Sequence, residues 1–160
     1  MKQAGNRFTT LLEQHKGILY KVAAAYCREA EDRHDLMQEI VLQLWRSFPR
    51  YDEQWRFSTW MYRIAMNVAI SHYRRTRDTV PLEGAVLELA AEPEIDDDVR
   101  VLYDLIGGLD ELSRGLVILF LDGHSHDEIA AILGLTSTNV ATRLNRIKQR
   151  LRNDYQEKAR

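Results

Sequence analysis

With one cysteine, three prolines and eight glycines in 160 residues, the chain has little material for disulfides, tight turns or sheet corners. The lone Cys27 cannot close an internal bridge, which fits a reducing compartment and points to the cytoplasm; it reads as a small hydrophobe, not a redox centre. No apolar run approaches the roughly 18 residues of a membrane span, so no membrane insertion is expected. The opening MKQAGNRFTTLLEQHKG lacks the apolar core of a secretory signal. Neither a G-x-x-x-x-G-K-S/T loop nor a G-x-S-x-G elbow occurs, and the cysteine has no catalytic pairing. His124, His126 and Asp127 form an H-x-H-D string, but no second histidine cluster completes a metal shell. No enzymatic activity, cofactor or metal is expected.

A formal net charge of −2 conceals a strong segregation. Residues 1–77 hold 13 Lys+Arg against 8 Asp+Glu, residues 78–112 hold 1 against 11, and residues 113–160 hold 8 against 5. Two basic lobes therefore flank an acidic connector. The lobes suit polyanionic partners, while the connector stays off them or is merely a solvated linker.

Apolar periodicity predicts an all-α chain in two domains. Phe8, Leu11, Leu12, Leu19, Val22, Ala23 and Tyr26 mark one helix from Arg7 to about Cys27. Leu36, Met37, Ile40, Val41, Leu44, Trp45 and Phe48 mark a second, which Pro49 stops. A third runs from near Ser58 to Arg75, with Trp60, Met61, Ile64, Ala65 and Val68 on its buried side. These three form an N-terminal bundle over 1–77. Residues 78–98, with Pro81, Gly84, Pro93 and EPEIDDD, read as an acidic linker. A four-helix domain over 99–160 begins with a helix from Val99 to about Ile106 and another from about Leu109 to Asp122, whose LVILFL reads as thoroughly buried.

The most informative stretch closes the chain: GHSHDEIAAILGLTSTNVATRLNRIKQRLR. Ser125 is placed as an N-cap with Glu128 completing a capping box, and Gly134 supplies a left-handed C-terminal residue. Thr136 starts a second helix whose Val140, Leu144, Ile147 and Leu151 make one apolar stripe. Its other side carries Thr138, Asn139, Thr142, Arg143 and Arg146, residue types that grip phosphates and base edges in a major groove. This is the layout of a DNA-binding helix-turn-helix. The third helix adds a second nucleic-acid signal. Trp60, Tyr62, Arg63, Asn67, Tyr73, Arg74 and Arg75 mix aromatics that stack on bases with groups that hold phosphates and base edges. Trp60 and Tyr62 equally suit core and rim positions.

Three ordered motifs, DRHDLMQEIVLQLWRSFPRYD, FSTWMYRIAMNVAISHYRR and the helix-turn-helix, resemble those of bacterial extracytoplasmic-function (ECF) sigma factors of the sigma-70 family. The family's forms are close to D-x-E-D-L-x-Q-E-x-F-L-x-x-W, F-x-x-W-L-Y-R-I-A-x-N and E-I-A-x-x-L-G-x-S-x-x-x-V-x-x-R-L. The resemblance spans nearly the whole chain. It implies a promoter-specificity subunit, with sigma region 2 over 1–77 and sigma region 4 over 99–160. It further implies core RNA polymerase as partner, met at the beta-prime clamp and beta flap, together with promoter DNA and an anti-sigma factor. By position in the motifs, Asp35, Gln38, Glu39, Leu42 and Trp45 correspond to polymerase-binding residues, although Trp45 also suits a core position. Trp60, Arg63, Asn67, Arg74 and Arg75 correspond to the minus-ten surface, and Thr138, Asn139, Thr142, Arg143 and Arg146 to the minus-thirty-five surface. The linker is implied to thread through polymerase towards the RNA path.

One departure stands out: His34 occupies the place of the usual acid in D-x-E-D-L, which removes a firm negative charge from the docking face. Two rivals stay open, a duplex-binding regulator that never meets polymerase and a sigma-like decoy or adaptor that has lost promoter opening. The first leaves the docking and Y-R-I-A-x-N helices unexplained, and only His34 favours the second.

Overall fold

The computed structural model describes residues 2–76 and 93–159, and the chain divides into two compact units, Met1–Ala91 and Glu92–Arg160. Most of the connector expected over 78–98 lies outside the described residues.

In the first unit, α1 (Lys2–Gln14) and α2 (Lys16–Tyr26) precede α3 (Ala30–Ser47), a 3-10 turn (Phe48–Arg50) and α4 (Phe57–Thr76). The single helix expected from Arg7 to Cys27 is broken at His15, whose backbone leaves the helical region at φ −118°, ψ 14°. The His15 N–H is shared between the carbonyls of Leu11 and Leu12, and its Nδ1 lies 2.8 Å from the Leu11 carbonyl oxygen. Gly17 follows with low helix propensity, so nothing local restores the ladder across the break. Pro49 begins the 3-10 turn after α3, where its missing N–H costs nothing.

α2, α3 and α4 pack mutually around Leu19, Val22, Ala23, Leu36, Met37, Ile40, Leu44, Met61, Ala65 and Met66. Ala23, Ala65 and Ala69 are fully buried, and such short side chains allow close approach of helix axes. The buried face of α4 is rotated from the expected one. It comprises Phe57, Met61, Tyr62, Ala65, Met66 and Ala69, while Trp60, Ile64 and Val68 are half-buried.

The second unit holds α5 (Asp97–Ile106), α6 (Glu111–Leu121), α7 (His126–Leu133) and α8 (Ser137–Lys158). α5 starts two residues before the expected Val99 because the acidic run caps it. Asp96 accepts from the Val99 N–H at 2.9 Å, and Asp97 and Asp98 lie in the first turn, where negative charge meets the helix dipole. LVILFL is buried only through Leu119; Phe120 and Leu121 are exposed at the helix end, which Gly123 (φ 87°) follows. Leu105, Ile106, Leu116, Leu119, Ile129, Val140, Leu144 and Ile147 make the core. Among the described residues no helix is long and apolar enough to cross a membrane.

Candidate nucleic-acid interfaces

The helix-turn-helix is built by its caps. Ser125 Oγ accepts from the Glu128 N–H at 3.2 Å and also donates to the Glu128 carboxylate at 3.2 Å. Gly134 ends α7 in the left-handed region (φ 72°, ψ 36°), and the Leu135 N–H reaches back to the Ala130 carbonyl at 2.9 Å. Thr136 Oγ1 accepts from the Asn139 N–H at 3.1 Å and opens α8. Ser137 Oγ donates to the Asp127 carboxylate, tying the start of α8 to α7. Val140, Leu144 and Ile147 are buried beneath α8.

The outward side of α8 carries the expected row. Thr138, Asn139, Thr142 and Arg146 are exposed, and Arg143 is half-buried. Two of these are pre-arranged along the helix: Arg143 Nε donates to Asn139 Oδ1 at 2.5 Å, and Thr142 Oγ1 donates to the Thr138 carbonyl at 3.0 Å. The guanidinium and the amide, held one turn apart, make a continuous polar patch along α8. Asp110, the N-cap of α6, lies in the field of Arg143 and Arg150. Burial pushes its carboxyl up, but hydrogen bonds from Ser113 and those two guanidiniums outweigh it and hold the carboxyl below its ordinary value.

In the first unit, Arg63, Asn67 and Arg74 are all exposed on α4. Their spacing of four and seven residues puts them on one face of the helix. Trp60, half-buried, stacks on Tyr51 with ring centroids 4.9 Å apart and planes 28° apart, and Phe57 lies 5.4 Å away. Tyr62, grouped by sequence with the stacking aromatics, is fully buried and belongs to the core. Arg75 is exposed, but its Nη2 donates to Glu39 Oε1 on α3 at 2.8 Å. The neighbouring α3 surface presents Asp35 exposed, Gln38 half-buried, and Leu42 and Trp45 at 43% and 45% exposure. Glu39 is half-buried and turned to α4, and His34 is half-buried. Trp45 is neither plain core nor fully open: Phe8 of α1 covers part of it at 5.2 Å between centroids.

Sequence reasoning missed Tyr51 and Trp55 beside this surface; it placed Glu39 with the docking residues but not its engagement by α4. Tyr51 and Trp55 sit in the loop before α4, where the Tyr51 hydroxyl donates to the Trp55 carbonyl at 2.7 Å and leaves the Trp55 ring 61% exposed. Two aromatics in an otherwise polar loop were the available signal. No group of three or more His, Cys, Asp or Glu side chains is placed to hold a metal ion among the described residues.

Two family models match the chain: Sigma-70 region 2 over residues 11–79 and Sigma-70, region 4 over residues 100–151. The RNA polymerase sigma factor CnrH of Cupriavidus metallidurans is 30% identical over 166 residues, covering 92% of this chain and 87% of the relative. The ECF RNA polymerase sigma factor SigE of Mycolicibacterium smegmatis is 30% identical over 156 residues, 91% of this chain but 60% of the longer relative. In fold, the chain is similar to CnrH solved in complex with the cytosolic domain of CnrY, with a TM-score of 0.70 at 22% identity over 98% of this chain and 94% of that one. It is also similar to RpoE of Bartonella quintana solved with the anti-sigma factor NepR, with a TM-score of 0.69 at 20% identity over 96% of both chains.

Proposed function

The chain belongs to the ECF sigma factors of the sigma-70 family, and from that premise we propose that it directs core RNA polymerase to promoters by reading two elements and opening the downstream one. α8 reads the upstream, minus-thirty-five element as duplex. Thr138 and Asn139 lie nearest the groove floor, and Thr142, Arg143 and Arg146 hold base edges and phosphates. α4 holds the minus-ten strand once a base leaves the stack. Asn67 offers paired donor and acceptor to that base, Arg63 and Arg74 bracket it along the backbone, and Trp60 supplies an apolar wall. The pocket contacts offset an unstacking cost of a few kcal/mol without nucleotide hydrolysis.

Asp35, Gln38, Leu42 and Trp45 dock on the beta-prime clamp, two apolar anchors ringed by polar groups; the second unit meets the beta flap. The solved neighbours carry a cytosolic CnrY domain and an anti-sigma factor, which supports control of this chain by an anti-sigma factor as well. The chain works in the cytoplasm and lends specificity to polymerase without catalysing a reaction itself.

The observation that carries this reading is the outward row Arg63, Asn67 and Arg74 on a helix whose opposite side is packed into the bundle. The test is transcription by core polymerase plus this protein on a library of random promoter fragments. Initiation from fragments sharing two spaced motifs is expected. On a promoter so selected, Arg63→Ala and Asn67→Ala each lower open-complex formation about tenfold and duplex binding less than about twofold. Equal loss of both removes α4 from strand opening. Duplex binding with no polymerase binding by the unaltered protein makes it a plain regulator.

A further inference from the structure

Glu39 lies on α3, the helix given above to polymerase docking, yet both of its carboxylate oxygens are engaged by α4. His72 Nδ1 lies 2.9 Å from Oε2, the tautomer with its proton on Nδ1 being the one a carboxylate selects, and Arg75 Nη2 donates to Oε1 at 2.8 Å. The contact joins residues 33 and 36 positions apart. The His72 side chain is only 14% exposed, so the His72 leg of this link belongs to the packed α3–α4 seam, and Arg75 reaches the same carboxylate from the surface. It also falls on the last turn of α4, where carbonyls lack intrahelical donors and helices fray. Arg75 adds a weaker bond there, from Nε to the Ser71 carbonyl at 3.4 Å.

We propose that Glu39 is a positioning residue for strand opening, not a polymerase contact: by clamping His72 and Arg75 it fixes the rotation of the end of α4 and so aims Arg74 along the row with Arg63 and Asn67. Arg74 and Arg75 are adjacent, about 100° apart around the helix, so holding one against α3 sends the other outward. For Glu39 to dock on a partner it would first have to release two charge-assisted bonds, which are the strong kind. The proposal rests on the sigma-factor reading.

The test is a double-mutant cycle, with core-polymerase affinity and open-complex formation measured separately on a selected promoter. Glu39→Gln is expected to change core affinity less than about twofold while open complexes fall about fivefold, and in an Arg75→Gln background the same change costs less than about twofold more. A tenfold loss of core affinity from Glu39→Gln overturns the proposal, as do effects on open complexes that multiply independently. If Glu39→Gln fails to fold, His72→Gln loosens the same clamp from α4, and it too must spare core affinity while lowering open complexes. Wild-type protein that binds no core polymerase overturns the sigma-factor reading itself, a result distinct from either failure of the cycle.

Discussion

Arg114 stands beside the most apolar run of the chain, and only 7% of it is exposed. A buried guanidinium needs acceptors, and it has them: Nε donates to the Leu109 carbonyl at 2.8 Å and Nη2 to the Gly107 carbonyl at 2.6 Å. Arg150 of α8 adds a bond to the Gly108 carbonyl at 2.8 Å, so the α5–α6 turn is held by arginines from two helices. Arg114→Met keeps the bulk but leaves the buried Leu109 carbonyl and the half-buried Gly107 carbonyl without their donor. It should cost about 1–3 kcal/mol, read as a lower midpoint in urea unfolding followed in the second unit. A loss below about 0.5 kcal/mol would mean that water replaces the guanidinium there. The sequence showed an arginine at the edge of LVILFL, enough to mark it as unusual. Its acceptors are carbonyls five and seven residues upstream, and no periodicity encodes those.

Helix ends were legible in the helix-turn-helix, where side chains and a left-handed glycine cap their own elements. Ser125, Gly134 and Thr136 do in space what their positions in the sequence imply, because cap chemistry is local. Elements were misread where the deciding contact is distant or isotropic. The break at His15 leaves the apolar repeat intact, so periodicity alone reads through it. On α4, hydrophobicity could not tell which aromatic turns inward, because Trp60 and Tyr62 are both amphipathic; packing against α2 and α3 buries Tyr62. Two glycines test this distinction between local and packed control. Gly134 needs its left-handed φ of 72°, and Gly134→Ala should destabilise by about 1–2 kcal/mol although nothing lies within 4 Å of an added Cβ. Gly17 sits in α2 without that requirement and with the same open space, so Gly17→Ala should stabilise by about 0.5 kcal/mol. Thermal unfolding of both variants reads the two signs; the same sign for both would remove φ as the cause.

Across the whole molecule, charge was legible as a sum and illegible as a surface. Composition placed basic lobes on either side of an acidic stretch, and the division between the two units falls within that stretch. Counting could not say which cations face outward. Arg75 is engaged with Glu39, Arg114 with the α5–α6 turn, Arg150 with Gly108 and Lys148 with the Phe120 ring at 4.2 Å. Along α8, with Arg143 bonded to Asn139, this leaves Arg146, Arg152 and Lys158 best placed to meet phosphates, far fewer than the basic residues in the C-terminal part of the sequence. Duplex binding by the protein without polymerase should therefore be weak and should follow a salt slope near −3, from about three neutralised phosphates. Arg146→Ala should flatten that slope by about 1 and weaken binding similarly on all sequences, whereas Arg143→Ala should act mainly on the preferred one, since Arg143 is bonded to Asn139, with which it is proposed to read bases. A wild-type slope steeper than about −5 would mean that cations outside α8 also reach the duplex, and promoter capture would then begin with both basic lobes instead of with α8 alone.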